Sequence, residues 1–203
     1  MQKRISIIVG LFLSIVGIVD ASNDLQKQWY NNFYIIGYGC LSNNFVKAWE
    51  YPVGRQYEYN YGGMLIYKSK HVSPMIQVAY HDAFISVPNG YILYRKFSGF
   101  DASIGSRIPF SKKKLKSSEC DFGAGIFISG SFDKYEDIDQ YMVYPKGGIE
   151  FYANYDNLRR IRFVNIGVSV PIKYAVRSSG NYISVGLSSE IGLRIPPKHE
   201  KNI

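Results

Sequence analysis

The stretch Tyr182–Ile195 restricts the fold more than any other. Ile183, Val185, Leu187, Ile191, Leu193 and Ile195 take alternate positions, interrupted only by Ser189, while Tyr182, Ser184, Gly186, Ser188, Glu190, Gly192 and Arg194 fill the places between. Strict period two belongs to a strand with one apolar face. A helix at 3.6 residues per turn would scatter the same residues around its axis. The run is also long, since strands in globular proteins peak at about 5–6 residues.

The pattern recurs back along the chain. Val164, Ile166, Val168, Val170, Ile172, Tyr174 and Val176 alternate with polar or small residues, and Arg177-Ser178-Ser179-Gly180-Asn181 forms the turn to the last strand. Phe122–Phe132, Phe100–Phe110 and Tyr57–Tyr67 repeat it, with less regular runs at Asn32–Leu41, Pro74–Val87 and Tyr141–Tyr155. Pro88-Asn89-Gly90 is a hairpin signal, because Asn-Gly accepts the positive φ angles of a tight turn. The strands predicted are eight: about 32–42, 56–68, 73–87, 91–110, 119–133, 140–155, 159–176 and 181–195. Beyond the N-terminus there is no helical stripe, and no linker divides the chain.

The N-terminus reads as a targeting segment. Lys3 and Arg4 precede a mostly apolar run from Ile5 to Val19, and Val19-Asp20-Ala21 supplies a small-residue exit, which together make a secretory signal peptide. The expected organisation is a cleaved signal peptide at 1–21, an N-terminal periplasmic segment at 22–31, a barrel at 32–195 and a polar tail at 196–203. A hydrophobic share of 46% over 203 residues excludes a disordered chain. No run reaches the ~18 apolar residues of a spanning helix, and two cysteines with no CxxC offer no metal-ligand set.

Alternation alone leaves open whether the apolar face meets a core or lipid, and a secreted soluble barrel has the same period. Three features favour lipid. The polar faces are rich in Gly and Ser with isolated charges, as a narrow lumen requires. The strands exceed the ~9–11 residues that cross a bilayer at a tilt. Aromatics also gather near strand ends (Trp29, Tyr30, Phe33, Tyr34; Tyr91, Tyr94, Phe97; Tyr141, Tyr144; Tyr152, Tyr155) as interfacial girdles do. Every amide in hydrocarbon must be paired, so the sheet has to close. The fold class expected is all-β: an eight-stranded antiparallel transmembrane β-barrel, monomeric, in the outer membrane and in contact with its lipid.

Over Asn32–Ile195 this pattern resembles the small eight-stranded outer-membrane proteins. It departs from them where many finish on a terminal aromatic, since here a polar tail follows Ile195. The Tyr- and Asn-rich composition is similar to that of small spirochaetal surface barrels, which implies adhesion to host molecules.

With the first strand running outward, residues 43–55, 88–90, 134–139 and 177–180 are expected outside, and 69–72, 111–118 and 156–158 in the periplasm. Cys40 then falls near the outer rim and Cys120 at the opposite rim, too far apart for a disulfide. The long 43–55 connection carries Trp49, Tyr51 and Arg55, residue types enriched at binding hot spots. With Glu136, Asp137 and Asp139 of the acidic 133–139 run, these are the candidate ligand-binding residues for an extracellular macromolecule. The acidic run lacks EF-hand spacing, so no metal and no cofactor are expected. Glu58, Arg107, Glu150, Lys173, Glu190 and Arg194 are expected to pair inside the lumen, which argues against wide conduction.

No catalytic residues are assigned. His71-Val72-Ser73 keeps open a lipid A or phospholipid enzyme, but the pair falls at a periplasmic turn. His81 and Asp82 are adjacent on a strand and face opposite sides. A narrow pore or purely structural barrel is the remaining alternative. Nucleic acid is not expected, because the basic residues are scattered and the chain is exported.

Overall fold

The computed structural model describes residues 33–48, 54–86, 95–115, 118–135, 138–157, 164–177 and 180–194. Eight strands make up almost all of this: β1 (Phe33–Ala48), β2 (Gly54–Tyr67), β3 (Ser73–Ser86), β4 (Arg95–Lys114), β5 (Ser118–Tyr135), β6 (Ile138–Asn157), β7 (Val164–Arg177) and β8 (Gly180–Arg194). Each pairs antiparallel with the next, and β1 pairs with β8, so the sheet closes into a barrel without a free edge. Leu41 of β1 lies between Tyr59 of β2 and Leu187 of β8 in register. The upper rim carries Ala48, Gly54, Ser86 and Arg177; the lower carries Phe33, Tyr67, Ser73 and Arg194.

The pleat sorts the residues as the alternation demands. Leu187 is 64% exposed and its neighbour Ser188 only 3%, and Ile35, Phe100, Ile126, Ile128, Phe151, Val168 and Ile191 face outward in the same way. Asp101, Arg107, Glu150 and Glu190 face the bore and are buried. A wall apolar outside and charged inside inverts a soluble barrel and fits hydrocarbon as its solvent. Among the described residues no helix is long and apolar enough to cross a membrane, a criterion that does not bear on strands.

Several expectations need correction. β1 and β2 run further than the alternation shows, so Asn43–Ala48, Gly54 and Arg55 belong to strands rather than to a long outer connection. There the ladder of backbone hydrogen bonds continues after the side-chain pattern fades. β4 likewise continues through Lys112–Lys114, with a bulge between Pro109 and Ser111. Beyond the bulge the register places Lys112 opposite Asp121, and Lys112 Nζ pairs with Glu119 at 2.8 Å.

The girdle expectation also fails in part. Tyr141 and Tyr155 face outward, but Tyr34, Phe97, Tyr144 and Tyr152 are buried in the bore, because nearness to a strand end does not fix the side of the sheet. Cys40 sits buried at mid-height opposite Asn60 and Ser188, not near the outer rim. It and Cys120 are free. The signal peptide, the Pro88-Asn89-Gly90 turn and the tail lie outside the described residues.

The bore is not lined only by small residues and ions. Tyr34, Ile36, Tyr38, Cys40, Met64, Ile66, Met75 and Ala79 form an apolar cluster inside β1–β3, with Phe127 packed against it. A barrel this narrow is filled by its own side chains, and one flank of the filling is oily.

Candidate functional site: an ion-paired bore

Three polar clusters stack along the lumen. At mid-height Arg107 of β4 is 1% exposed and spans the bore to β6 and β8. Its Nε donates to Glu150 Oε1 at 2.6 Å and Nη2 to Glu150 Oε2 at 3.2 Å. Nη1 donates to Glu190 Oε2 at 2.9 Å, and Nη2 also reaches Glu190 Oε1. The planar guanidinium thus meets two carboxylates through both edges, the geometry that suits Arg and not Lys. Below it lies the Tyr152 ring, 4.8 Å from the guanidinium carbon. Gly125 gives Glu150 its space, since a Cβ there would stand 2.8 Å from Oε1.

Near the lower rim, Lys68 Nζ donates to Asp156 Oδ2 at 2.8 Å, with Asp121 at 4.0 Å. Asn165 Nδ2 donates to the other oxygen of Asp156, and Lys68 lies over the Tyr34 ring at 4.8 Å.

In the upper half, His81 of β3 is fully buried between carboxylates. Its Nε2 is 2.9 Å from Asp133 Oδ1 and its Nδ1 is 3.6 Å from Asp101 Oδ1. Ser131 Oγ donates to Asp133 Oδ1 at 2.5 Å, and Tyr144 OH donates to Oδ2. Lys146 Nζ holds both oxygens of Asp101, at 2.9 and 3.0 Å. Glu58 lies buried beside them, and ligand atoms of Glu58, His81 and Asp101 fall within 4.8 Å of one another. Phe97 packs edge-on to the imidazole, 5.9 Å between centroids.

Of the six residues expected to pair in the lumen, the structure brings Arg107, Glu150 and Glu190 together. Glu58 joins the upper cluster, and Lys173 Nζ stands 5.9 Å from the Phe127 ring. Arg194 sits at the lower rim opposite Tyr34. Sequence reasoning missed His81, Asp101, Asp133, Lys146, Lys68 and Asp156. Lys146 and Asp156 were within reach, since they share the parity of Glu150 along β6. Asp133, expected in the acidic outer loop, is wholly inside the bore.

Trp49, Tyr51, Glu136 and Asp137 lie outside the described residues. Arg55 belongs to β2, in register with Phe45 and Ser86, and Asp139 belongs to β6. His71 is exposed in the turn after β2, where its backbone N–H donates to Ser69 Oγ. Ser73 Oγ accepts from the Ser69 N–H at 3.1 Å, so both residues serve the turn. Among the described residues, a lumen cavity of about 30 Å³ is bounded by Tyr38, Cys40, Arg107, Glu150, Lys173 and Glu190 among others. That is room for a water or two.

No protein-family model matches the chain, and no curated protein matches it. Solved barrels do resemble it. Neisserial surface protein A (NspA) superposes with a TM-score of 0.50 at 10% identity, over 81% of this chain and 97% of that one. Ail, the attachment invasion locus protein of Yersinia pestis, gives a TM-score of 0.37 at 11% identity, over 80% and 99%. The N-terminal barrel of Pseudomonas aeruginosa OprF gives 0.34 at 13%, over 80% and 98%. At such identities the likeness to NspA is one of fold: a small eight-stranded barrel.

Proposed function

We propose that this is a monomeric outer-membrane surface barrel that binds extracellular macromolecules at its upper rim. The observation that carries the reading is the filled bore. Ion pairs and packed apolar groups leave a cavity of about 30 Å³, which passes no hydrated solute, so the surfaces left for recognition are the rims. The apolar outer wall supports residence in lipid, and the barrel fold shared with NspA supports the outer membrane as the compartment.

Binding is assigned to the upper rim, where the strand ends of β2 and β6 carry Arg55 and Asp139 and where Trp49, Tyr51, Glu136 and Asp137 stand close by in sequence. Aromatics and arginine give large contact area, and the acids give charge selectivity. The lipid-enzyme reading has little to support it, because Ser73 Oγ caps the turn by accepting from the Ser69 N–H and His71 is held there through its backbone N–H.

The test displays the barrel on cells and measures adherence to immobilised matrix glycoproteins and sulfated glycosaminoglycans. Changing Trp49, Tyr51 and Arg55 together to Ala lowers binding at least tenfold, while the shift between folded and unfolded mobility on gels stays intact. Undiminished binding by this folded triple variant overturns the proposal. So does a reproducible large conductance of the purified barrel in planar bilayers.

A further inference from the structure

We propose that the upper cluster is a divalent-metal site of the zinc class. His81 Nδ1, Glu58 and Asp101 are the ligands, and Asp133 is the carboxylate that orients the imidazole. The inference is independent of what the rim binds.

The three ligands come from neighbouring strands, Glu58 on β2, His81 on β3 and Asp101 on β4, and each points into the bore. The tautomer follows from the partners. Nε2 lies 2.9 Å from Asp133 Oδ1, nearer a carboxylate than Nδ1 does, which favours Nε2 as the protonated nitrogen of a neutral imidazole. Nδ1 then carries a lone pair aimed at Asp101 Oδ1. Neither ring nitrogen meets hydrogen-bond geometry among the described residues, and His81 is 0% exposed. Lone pairs that face one another away from water repel unless a cation lies between them.

Distance favours a metal over a proton as that cation. The 3.6 Å between Nδ1 and Asp101 Oδ1 is too long for an N–H···O bond. It is close to the ~3.4 Å that separates two ligand atoms held about 2.1 Å from a tetrahedral zinc ion. The Glu58 carboxylate, within 4.8 Å of a ring nitrogen of His81 and an oxygen of Asp101, supplies the third ligand by a small side-chain movement, and water takes the fourth.

The surroundings are those of a built metal ligand. A metal-bound histidine characteristically donates its second N–H to a carboxylate that is itself held. Here Ser131 and Tyr144 both donate to Asp133. Charge agrees in sign. Glu58, Asp101 and Asp133 outnumber the nearby Lys146 and Lys173, so a neutral imidazole leaves net negative charge where the ion would sit. Lys146 takes one lone pair from each Asp101 oxygen and leaves the second for a metal. One imidazole with two carboxylates suits zinc, cobalt or manganese, whereas copper(I) prefers sulfur and calcium prefers an all-oxygen shell.

The test titrates Co²⁺ and Zn²⁺ into the folded, metal-stripped barrel in detergent at neutral pH. Expected are one bound ion per barrel, visible cobalt absorption without a thiolate charge-transfer band, and a zinc X-ray absorption shell of nitrogen and oxygen with an imidazole signature. His81→Gln lowers affinity more than 100-fold, and Asp133→Asn lowers it about 10–100-fold. The spectroscopy on the unmodified chain decides the matter even if a variant fails to fold. The proposal is overturned by sulfur in the shell, by binding that survives His81→Gln, or by a His81 that changes protonation with pH while neither ion binds.

Discussion

The middle and upper clusters of the bore share a recipe, buried acids around a base, yet they do opposite things with it. At mid-height four N–H···O contacts tie the Arg107 guanidinium to Glu150 and Glu190. A rigid fork between two carboxylates has one arrangement, and it braces β4 against β6 and β8. In the upper cluster the base is an imidazole whose Nδ1 stands 3.6 Å from the Asp101 carboxylate, beyond hydrogen-bond reach. That cluster is left with something to accept. The difference comes from the shape and proton inventory of the base more than from burial, which is nearly complete in both.

The sharpest way to break the contrast is Arg107→Met. It strands two buried carboxylates and is expected to cost about 3–5 kcal/mol in urea unfolding of the barrel in lipid vesicles. Replacing Glu150 and Glu190 by Gln in the same chain should restore most of that loss. Failure to recover would mean that the cluster acts through packing rather than charge. Lys146→Met should cost less, about 2 kcal/mol in the same assay, because it strands one buried carboxylate, Asp101, where Arg107→Met strands two. A loss equal to that of Arg107→Met would erase the distinction. Smallest is Ser131→Ala, about 1 kcal/mol, since Tyr144 still holds Asp133. An unchanged midpoint would show that the serine hydroxyl adds nothing to the carboxylate's position.

Much of the wall was legible because its cause is local. Outward Val168, Ile191 and Leu187 and inward Glu150 and Glu190 follow from pleat parity alone. The rims were less legible, because Asn43–Ala48 carry no alternation and stay in β1 through backbone pairing. The aromatics misled where position along a strand stood in for the side of the sheet, as with Tyr34, Phe97, Tyr144 and Tyr152. The site was legible only as a set of inward charges. Arg107 meets Glu150 and Glu190 across 43 and 83 residues of sequence, and no spacing encodes which inward charges share a height. His81 invited comparison with adjacent Asp82, whereas its partners stand on β4 and β5.

The seam between β1 and β8 joins the most distant partners in the barrel. The two strands that meet there lie at opposite ends of the described chain, so the last ladder to form closes the longest possible loop. Contacts of such sequence separation are slow to form. Until that ladder zips, β1 and β8 each present a row of bare amides that neither lipid nor neighbour satisfies. The half-made cylinder is therefore the vulnerable species, and it must be shielded until its final strand arrives.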